Sequence, residues 1–190
     1  VALFMVYVIY INIQMHKPFP YENRIVLTPD DMKHDLDQMK ADVIQTYPSA
    51  EGDGLDLESF FDETYEQIKK PMTKAAFSVL LAEKVADLED AHSSVITVND
   101  GPTLPIVFKI IDDHFYVLSG YKSLGTGCEV ISIAGVSIKD IYEAYAKEFS
   151  SENAFWVQEL FEERYVEVNR VLSLGGKKTY ENGVHIAYLE

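Results

Sequence analysis

Apolar positions recur at two different spacings along the chain, and the spacing changes at His92. Before His92, three segments place apolar residues three or four positions apart, which is the spacing of one face of a helix. After it, shorter apolar runs are bounded by glycines and turn dipeptides, as strands are. The pattern predicts an α+β fold with a three-helix module over residues 28–92. A small β-rich unit with one or two helices is predicted to follow over residues 93–190.

Local signals place the ends of the three predicted helices. The run Thr28-Pro29-Asp30-Asp31 supplies an N-cap, a proline at the first helical position and two acids in the first turn. This helix should end before Pro48, because proline disfavours a helical residue in front of it. The second helix is predicted from Leu57 to Lys69, and Pro71 ends it. Thr73 then caps a third helix that runs to Leu88.

The β-rich unit is predicted to start with a short strand at Val95–Val98. A hairpin should follow, with Leu104–Ile111 and Phe115–Leu118 as strands and Asp112-Asp113 as the turn. A long helix is predicted over Glu152–Leu172, with its aromatic residues in the core rather than in a binding stripe.

The chain is then predicted to end in a hairpin around Asn182-Gly183. A strand-turn-helix segment centred on Ala134-Gly135 is similar to the Gly-Asp-x-Ile-x-x-Ile-Asn-Gly-Val segment of PDZ domains, and an ordinary strand, turn and helix is the alternative. PDZ domains bind a peptide carboxylate with the N–H groups of a loop. The matching segment here is Thr103-Leu104-Pro105-Ile106, and proline has no N–H to donate. The segment is poorly suited to carboxylate capture, whereas strand addition at a sheet edge stays open.

Charge and cysteine content narrow the classes of partner. The 190 residues carry a formal net charge of −15, which would repel phosphate backbones and anionic lipid head groups. We therefore expect no nucleic-acid binding. The single cysteine, Cys128, rules out an internal disulfide framework and is expected to be a buried structural thiol.

The first residues, Val1–Ile13, are almost wholly apolar but too short to span a bilayer, which takes ~20 residues. They are interpreted as the remnant of a membrane anchor or signal segment, with a buried strand as the main alternative. Residues 1–27 would then be this remnant and a stiff linker. On that interpretation the rest of the chain is extracytoplasmic, secreted or membrane-tethered, and it meets the membrane only through the anchor.

The junction itself reads Leu88-Glu89-Asp90-Ala91-His92-Ser93-Ser94-Val95. This octet, after an amphipathic helix and before an apolar run, resembles the Asp-Gly-His-Thr segment of C-terminal-processing (tail-specific) serine peptidases, in particular the branch of the tricorn core and chlamydial proteases. Ala91 and Ser93 stand where glycine and threonine are usual. The resemblance implies that His92 is the general base for a serine far downstream. A capping or packing histidine is the plainer alternative.

The rest of the catalytic machinery is not recognisable in the sequence. There is no Gly-x-Ser-x-Gly motif and no glycine-rich phosphate loop. The other histidines have no metal-site spacing, so we expect neither a metal nor a cofactor.

In the family that the octet resembles, the nucleophile follows the PDZ-like region, which here would place it beyond Glu190. The sequence therefore predicts the N-terminal portion of a serine peptidase, inactive alone. Its partners would be a polypeptide substrate and the remainder of its own chain. The alternative is a non-catalytic peptide- or ligand-binding module of the same fold family.

Overall fold

The computed structural model describes residues 7–11, 25–47, 56–97, 101–120, 125–177 and 184–189. This part of the chain mixes helices and antiparallel sheet, so the predicted α+β class is confirmed. The helices are α1 (Pro29–Thr46), α2 (Asp62–Gln67), α3 (Lys74–Ala86), α4 (Ile138–Ala146), α5 (Ala154–Glu162) and α6 (Val168–Ser173). The strands are β1 (Tyr7–Ile11), β2 (Val26–Leu27), β3 (Met72–Thr73), β4 (Val107–Ile111), β5 (His114–Ser119), β6 (Glu129–Ile133), β7 (Val136–Ser137) and β8 (Val184–Leu189).

The helical module starts at the predicted N-cap Thr28, which forms a capping box with Asp31. The Thr28 hydroxyl oxygen accepts a hydrogen bond from the Asp31 N–H at 3.2 Å, and the Asp31 carboxylate accepts one from the Thr28 N–H at 3.0 Å. These bonds satisfy backbone N–H groups that have no hydrogen-bond partner within the first turn of the helix. Thr73 caps α3 in the same way by accepting the Ala76 N–H at 3.1 Å. Both predicted helix starts are confirmed.

The second helix is shorter than its prediction of Leu57–Lys69, because α2 spans only Asp62–Gln67. The Asp56 carboxylate accepts hydrogen bonds from the backbone N–H groups of Glu58 and Ser59. Such side-chain bonds hold the preceding residues in turns and compete with helical hydrogen bonding.

The helical module and the β-rich unit each have an apolar core. The core of the module is made by α1, α2, α3 and the turn before α2. Its buried members are Met32, Leu36, Phe60, Phe61, Ile68 and Phe77. A separate and larger cluster lies under the sheet of the β-rich unit and includes Phe108, Phe115, Ile141 and Phe161. The domain boundaries given above stay predictions.

The main sheet is antiparallel, with strand order β1-β8-β6-β5-β4 and with β7 paired to β6. The hairpin of β4 and β5 turns at Asp112 and Asp113, whose φ angles are 50° and 62°. A second turn at Ala134 and Gly135, with φ angles of 55° and 85°, joins β6 to β7. Positive φ at both central residues is the mark of a type I′ turn, whose twist matches the strands it joins. Both turns lie where the sequence predicted them.

The long helix predicted at Glu152–Leu172 is wrong: two helices, α5 and α6, occupy that stretch. Between them the chain pairs with a distant segment. The Val166 carbonyl accepts the Leu104 N–H at 2.8 Å, and the Val168 N–H donates to the Pro102 carbonyl at 2.9 Å. These tertiary hydrogen bonds replace the helical ones, so the described part of the unit has three helices and not the predicted one or two.

The strand predicted at Val95–Val98 is not formed by Val95–Thr97, and Val98 lies outside the described residues. β-branched residues favour extended backbone, but a strand also needs a partner strand. In the described part of the chain these residues pair with none, and Ile96 is 89% exposed.

The two ends of the chain meet in the main sheet, where β1 pairs with β8 from Tyr7↔Tyr188 to Ile11↔Val184. For residues 7–11 the structure thus agrees with the strand alternative. The other residues of the predicted anchor remnant and linker up to position 24, namely 1–6 and 12–24, lie outside the described residues, as does the turn Asn182-Gly183. None of the described helices is long and apolar enough to cross a membrane.

The Asp112-Asp113 turn allows a direct test of the fold. Asp113 has a left-handed backbone that glycine adopts without a steric cost. We expect Asp113→Gly to raise the free energy of unfolding by about 0.5–1 kcal/mol, measured by urea denaturation. Asp113→Asn, which removes the charge and keeps a side chain, is the control and should gain less. Equal gains in the two variants would show that charge, and not backbone conformation, limits this turn.

Candidate functional site

His92 lies in a tight turn directly after α3. The helix is closed by Glu89, whose φ of 51° places it in the left-handed region, and the Glu89 N–H donates to the Ala86 carbonyl. A left-handed residue reverses the chain direction at a helix end. The next residues therefore turn away from the helix axis and carry His92 to the surface between the two cores.

The Asp90 side chain organises this turn. One carboxylate oxygen accepts the His92 N–H at 3.0 Å, and the other accepts the Ser93 hydroxyl at 2.6 Å. These two bonds, led by the one from Ser93, lower the pKa of Asp90 below its ordinary value. The Asp90 N–H in turn donates to the Ser150 hydroxyl oxygen at 2.9 Å, although Ser150 is 60 positions away. The turn is thus attached to the β-rich unit.

The His92 side chain is exposed, and within the described residues its ring makes no hydrogen bond. It borders two clefts. The larger, of about 740 Å³, lies along α1 and the end of α3 and includes Met39, Val43 and Leu88. The smaller, of about 310 Å³, lies against the start of α5. An exposed ring at the rim of two clefts is free to meet a reacting group. A surface histidine would look the same, so the catalytic role of His92 stays a prediction.

A buried charge lies behind the turn. The Glu148 side chain is 3% exposed, and Arg170 Nη2 lies 2.7 Å from its Oε1 in an ionic contact rather than a well-aligned hydrogen bond. Arg164 Nη1 lies 3.4 Å from Oε2 and also donates to the Thr97 hydroxyl oxygen at 3.3 Å. Burial raises the pKa of Glu148, and the two arginines oppose that rise. Through Arg164, the segment after His92 is attached to the buried Glu148 carboxylate.

Sequence reasoning missed Ser150, Glu148 and Arg164. Their role depends on contacts between positions 16 to 67 residues apart, which no local pattern encodes. The one available signal is that Glu148 and Ser150 flank Phe149 directly after an amphipathic helix. That placement puts polar residues beside a buried aromatic.

The structure limits both peptide-binding modes considered for the β-rich unit, namely carboxylate capture by a loop and strand addition at a sheet edge. In the Thr103–Ile106 segment, the Leu104 N–H donates to Val166 and the Ile106 N–H donates to the Leu104 carbonyl, so neither is free for a carboxylate. At the outer edge of β4, the Ile110 N–H donates to the buried Glu162 carboxylate at 2.7 Å, and the Ile110 carbonyl accepts from Gln158 at 2.9 Å. Side chains of α5 thus occupy the β4 edge of the sheet, where a strand could otherwise be added.

Other side chains that can take part in catalysis or metal binding lie elsewhere in the β-rich unit. His114 Nδ1 lies 2.6 Å from the Glu129 carboxylate on the exposed side of the sheet, and Cys128 is half-buried against the core. Within the described ranges, no three histidine, cysteine or acidic side chains come together as metal ligands would.

Comparisons with known proteins give a structural likeness. No protein-family model matches the chain, and no curated protein matches it. Among solved structures, the crystal structure of a serine-to-alanine mutant of CPAF, the chlamydial protease-like activity factor, is similar with a TM-score of 0.51 and 16% identity. The match covers 70% of this chain and 28% of the CPAF chain.

At this identity the likeness establishes a shared fold. It agrees with the chlamydial branch named from the octet, while the PDZ-like comparison stays a prediction.

The attachment of the His92 turn can be tested at Ser150. We expect Ser150→Ala to lower the free energy of unfolding by about 1 kcal/mol, because it leaves the Asp90 N–H without its partner. It should also shift the amide NMR signals of Asp90 and His92. Ser151→Ala is the control, since among the described residues the Ser151 hydroxyl bonds Asn153 and not the His92 turn. Unchanged His92 signals in Ser150→Ala would contradict the attachment.

The lowered pKa of Asp90 has a defined pH signature. The charged form is favoured by folding, so its contribution is present above the ordinary value of about 3.9 and is lost as the pH falls through the lowered one. Titrating the carboxyl carbon by NMR should give a midpoint below that of an ordinary aspartate. Ser93→Ala should raise the midpoint, whereas Ser94→Ala should not. An Asp90 midpoint that is the same in Ser93→Ala would rule out the hydrogen bond from the Ser93 hydroxyl to the Asp90 carboxylate.

Proposed function

We propose that this chain is the N-terminal portion of a serine-type peptidase of the C-terminal-processing class, and that His92 is its general base. The serine that it serves would lie beyond Glu190. The substrate is then a polypeptide, and the remainder of the same chain is the principal partner. We also propose an extracytoplasmic location, secreted or tethered through the N-terminal segment.

The observation that carries the proposal is the position of His92 in a fold shared with CPAF. The ring is exposed at the rim of two clefts, while its backbone is fixed by Asp90 and, through Ser150, by the β-rich unit. A general base needs this combination of a free ring nitrogen and a fixed backbone. A non-catalytic binding module is the alternative, and the structural likeness to CPAF favours the peptidase.

The chemistry would follow the usual order for a serine nucleophile. The His92 ring takes the proton of the serine hydroxyl as its oxygen attacks the substrate carbonyl carbon, and the ring then donates this proton to the leaving amine. The Asp90 carboxylate bonds the His92 backbone and not its ring. The group that orients the ring would therefore also come from the rest of the chain.

The test compares variants in a chain that continues past Glu190. We expect His92→Ala to reduce kcat/KM for an unfolded protein substrate by at least about 100-fold, the range for loss of a general base. The free energy of unfolding should change by less than ~0.5 kcal/mol, because the side chain is exposed. The measurements are a hydrolysis assay and urea denaturation.

The matched control is His34→Ala, which removes an exposed histidine from α1. It should leave hydrolysis unchanged, and residues 1–190 alone should show no turnover. Hydrolysis that survives His92→Ala would overturn the proposal. A longer chain that binds polypeptides without cleaving them would establish the binding-module alternative.

A further inference from the structure

A groove runs from His92 along the start of α5 and is lined by exposed apolar side chains. It consists of two clefts, of about 460 Å³ and 310 Å³, that share Ala91 and Trp156 in their walls. The apolar side chains along it are Ile96, Phe155, Trp156 and Tyr165, exposed by 89%, 81%, 44% and 52%. We call these two clefts the aromatic groove.

The exposure of these aromatics is not required by the packing of α5. The far end of that helix buries Phe161 and Glu162 against the sheet, and this contact holds the helix in place. Phe155 and Trp156 project from its first turn, where Asn153 caps the helix by accepting the Trp156 N–H at 3.0 Å. Clustered exposed apolar side chains on a folded protein mark a surface that another molecule covers.

The charges around the groove indicate what covers it. Glu152 and Glu163 are exposed on its walls and, in the described part of the chain, neither forms an ion pair. The other charged groups are already matched: Arg164 faces Glu148, and Glu159 lies 3.6 Å from Lys109. The groove thus has uncompensated negative charge beside aromatic rings, which complements an apolar ligand with a positive charge.

We propose that the aromatic groove binds an extended polypeptide segment that carries a large apolar side chain near a lysine or arginine. The two clefts have volumes in the range of ligand pockets, so each can take a side chain. The edge of β4, the other obvious peptide site, is closed by Gln158 and Glu162. The assignment of this segment as substrate rests on the proposed function, because the groove begins at His92.

The chain supplies its own probe, since Trp156 is its one tryptophan. The experiment titrates the 190-residue protein with synthetic peptides and follows Trp156 fluorescence. One peptide carries leucine and lysine, a second replaces the lysine by glutamate, and a third replaces the leucine by serine. We expect saturable binding of the first peptide, and each replacement should lower the affinity. Added salt should lower the affinity of the first peptide most.

Variants assign the binding to the groove. Phe155→Ser should weaken the leucine-lysine peptide by about tenfold through loss of apolar contact. Glu163→Gln and Glu152→Gln should each weaken it by about two- to fivefold, the scale of an exposed ion pair. The control is Glu143→Gln, which removes an exposed acid from α4 away from the groove. Glu143→Gln and Glu163→Gln that lower the peptide affinity equally would overturn the proposal. An affinity that Phe155→Ser leaves unchanged would also overturn it.

Other occupants give different outcomes. Trp156 emission and sedimentation that depend on protein concentration would mean that a second copy covers the groove. A longer chain in which Trp156 no longer responds to the peptide would mean that the downstream domain covers it. Either result overturns the proposal.

Failure of the proposed function is separable from failure of the groove. Peptide binding is measured on the 190-residue protein without any turnover, whereas the catalytic role is measured by hydrolysis in the longer chain. Binding that persists while hydrolysis ignores His92→Ala would refute the catalytic role and keep the groove.

Discussion

The arrangement of the two halves depends on one buried carboxylate. Glu148, at the end of α4, is almost wholly removed from solvent, and a charge in that position is costly unless it is paired. Arg170 and Arg164 provide the pairing, and each also reaches outside the β-rich unit's core. Arg170 lies 3.7 Å from Glu83 on α3, and Arg164 bonds Thr97 in the segment after His92. Removing the carboxylate would therefore release the junction as well as the pair.

A polar junction explains how His92 can be both fixed and exposed. In the described part of the chain the two apolar cores are separate, and no continuous hydrophobic contact there buries the turn that joins them. The turn is held by directed hydrogen bonds from Asp90 and Ser150, which fix a backbone without covering its side chains. Fixed backbone and free ring are also what acid–base chemistry requires, which links the energetics of the junction to the proposed role.

The helix α5 has two faces with opposite functions. Its inner face closes the sheet edge, with the Glu162 carboxylate accepting from both Ile110 and Lys109. Burial alone would raise the pKa of Glu162, but these hydrogen bonds outweigh it and lower the pKa. The outer face presents Phe155 and Trp156 to solvent beside His92. One face of α5 thus closes the β4 edge of the sheet to an added strand, and the other forms part of the aromatic groove in which we propose that a polypeptide binds.

The sequence by itself determined the features that arise from contacts within a few residues. The caps at Thr28 and Thr73 and the turn at Asp112-Asp113 could be predicted because donor, acceptor and backbone preference are neighbours in the chain. The break between α5 and α6, the missing strand after His92, the burial of Glu148 and the exposure of Trp156 were decided only by tertiary structure. Each depends on a partner many positions away, such as Leu104 for Val166 or Thr97 for Arg164. Helical spacing shows that one face of a segment is apolar, but whether that face meets a core or solvent is settled by what packs against it.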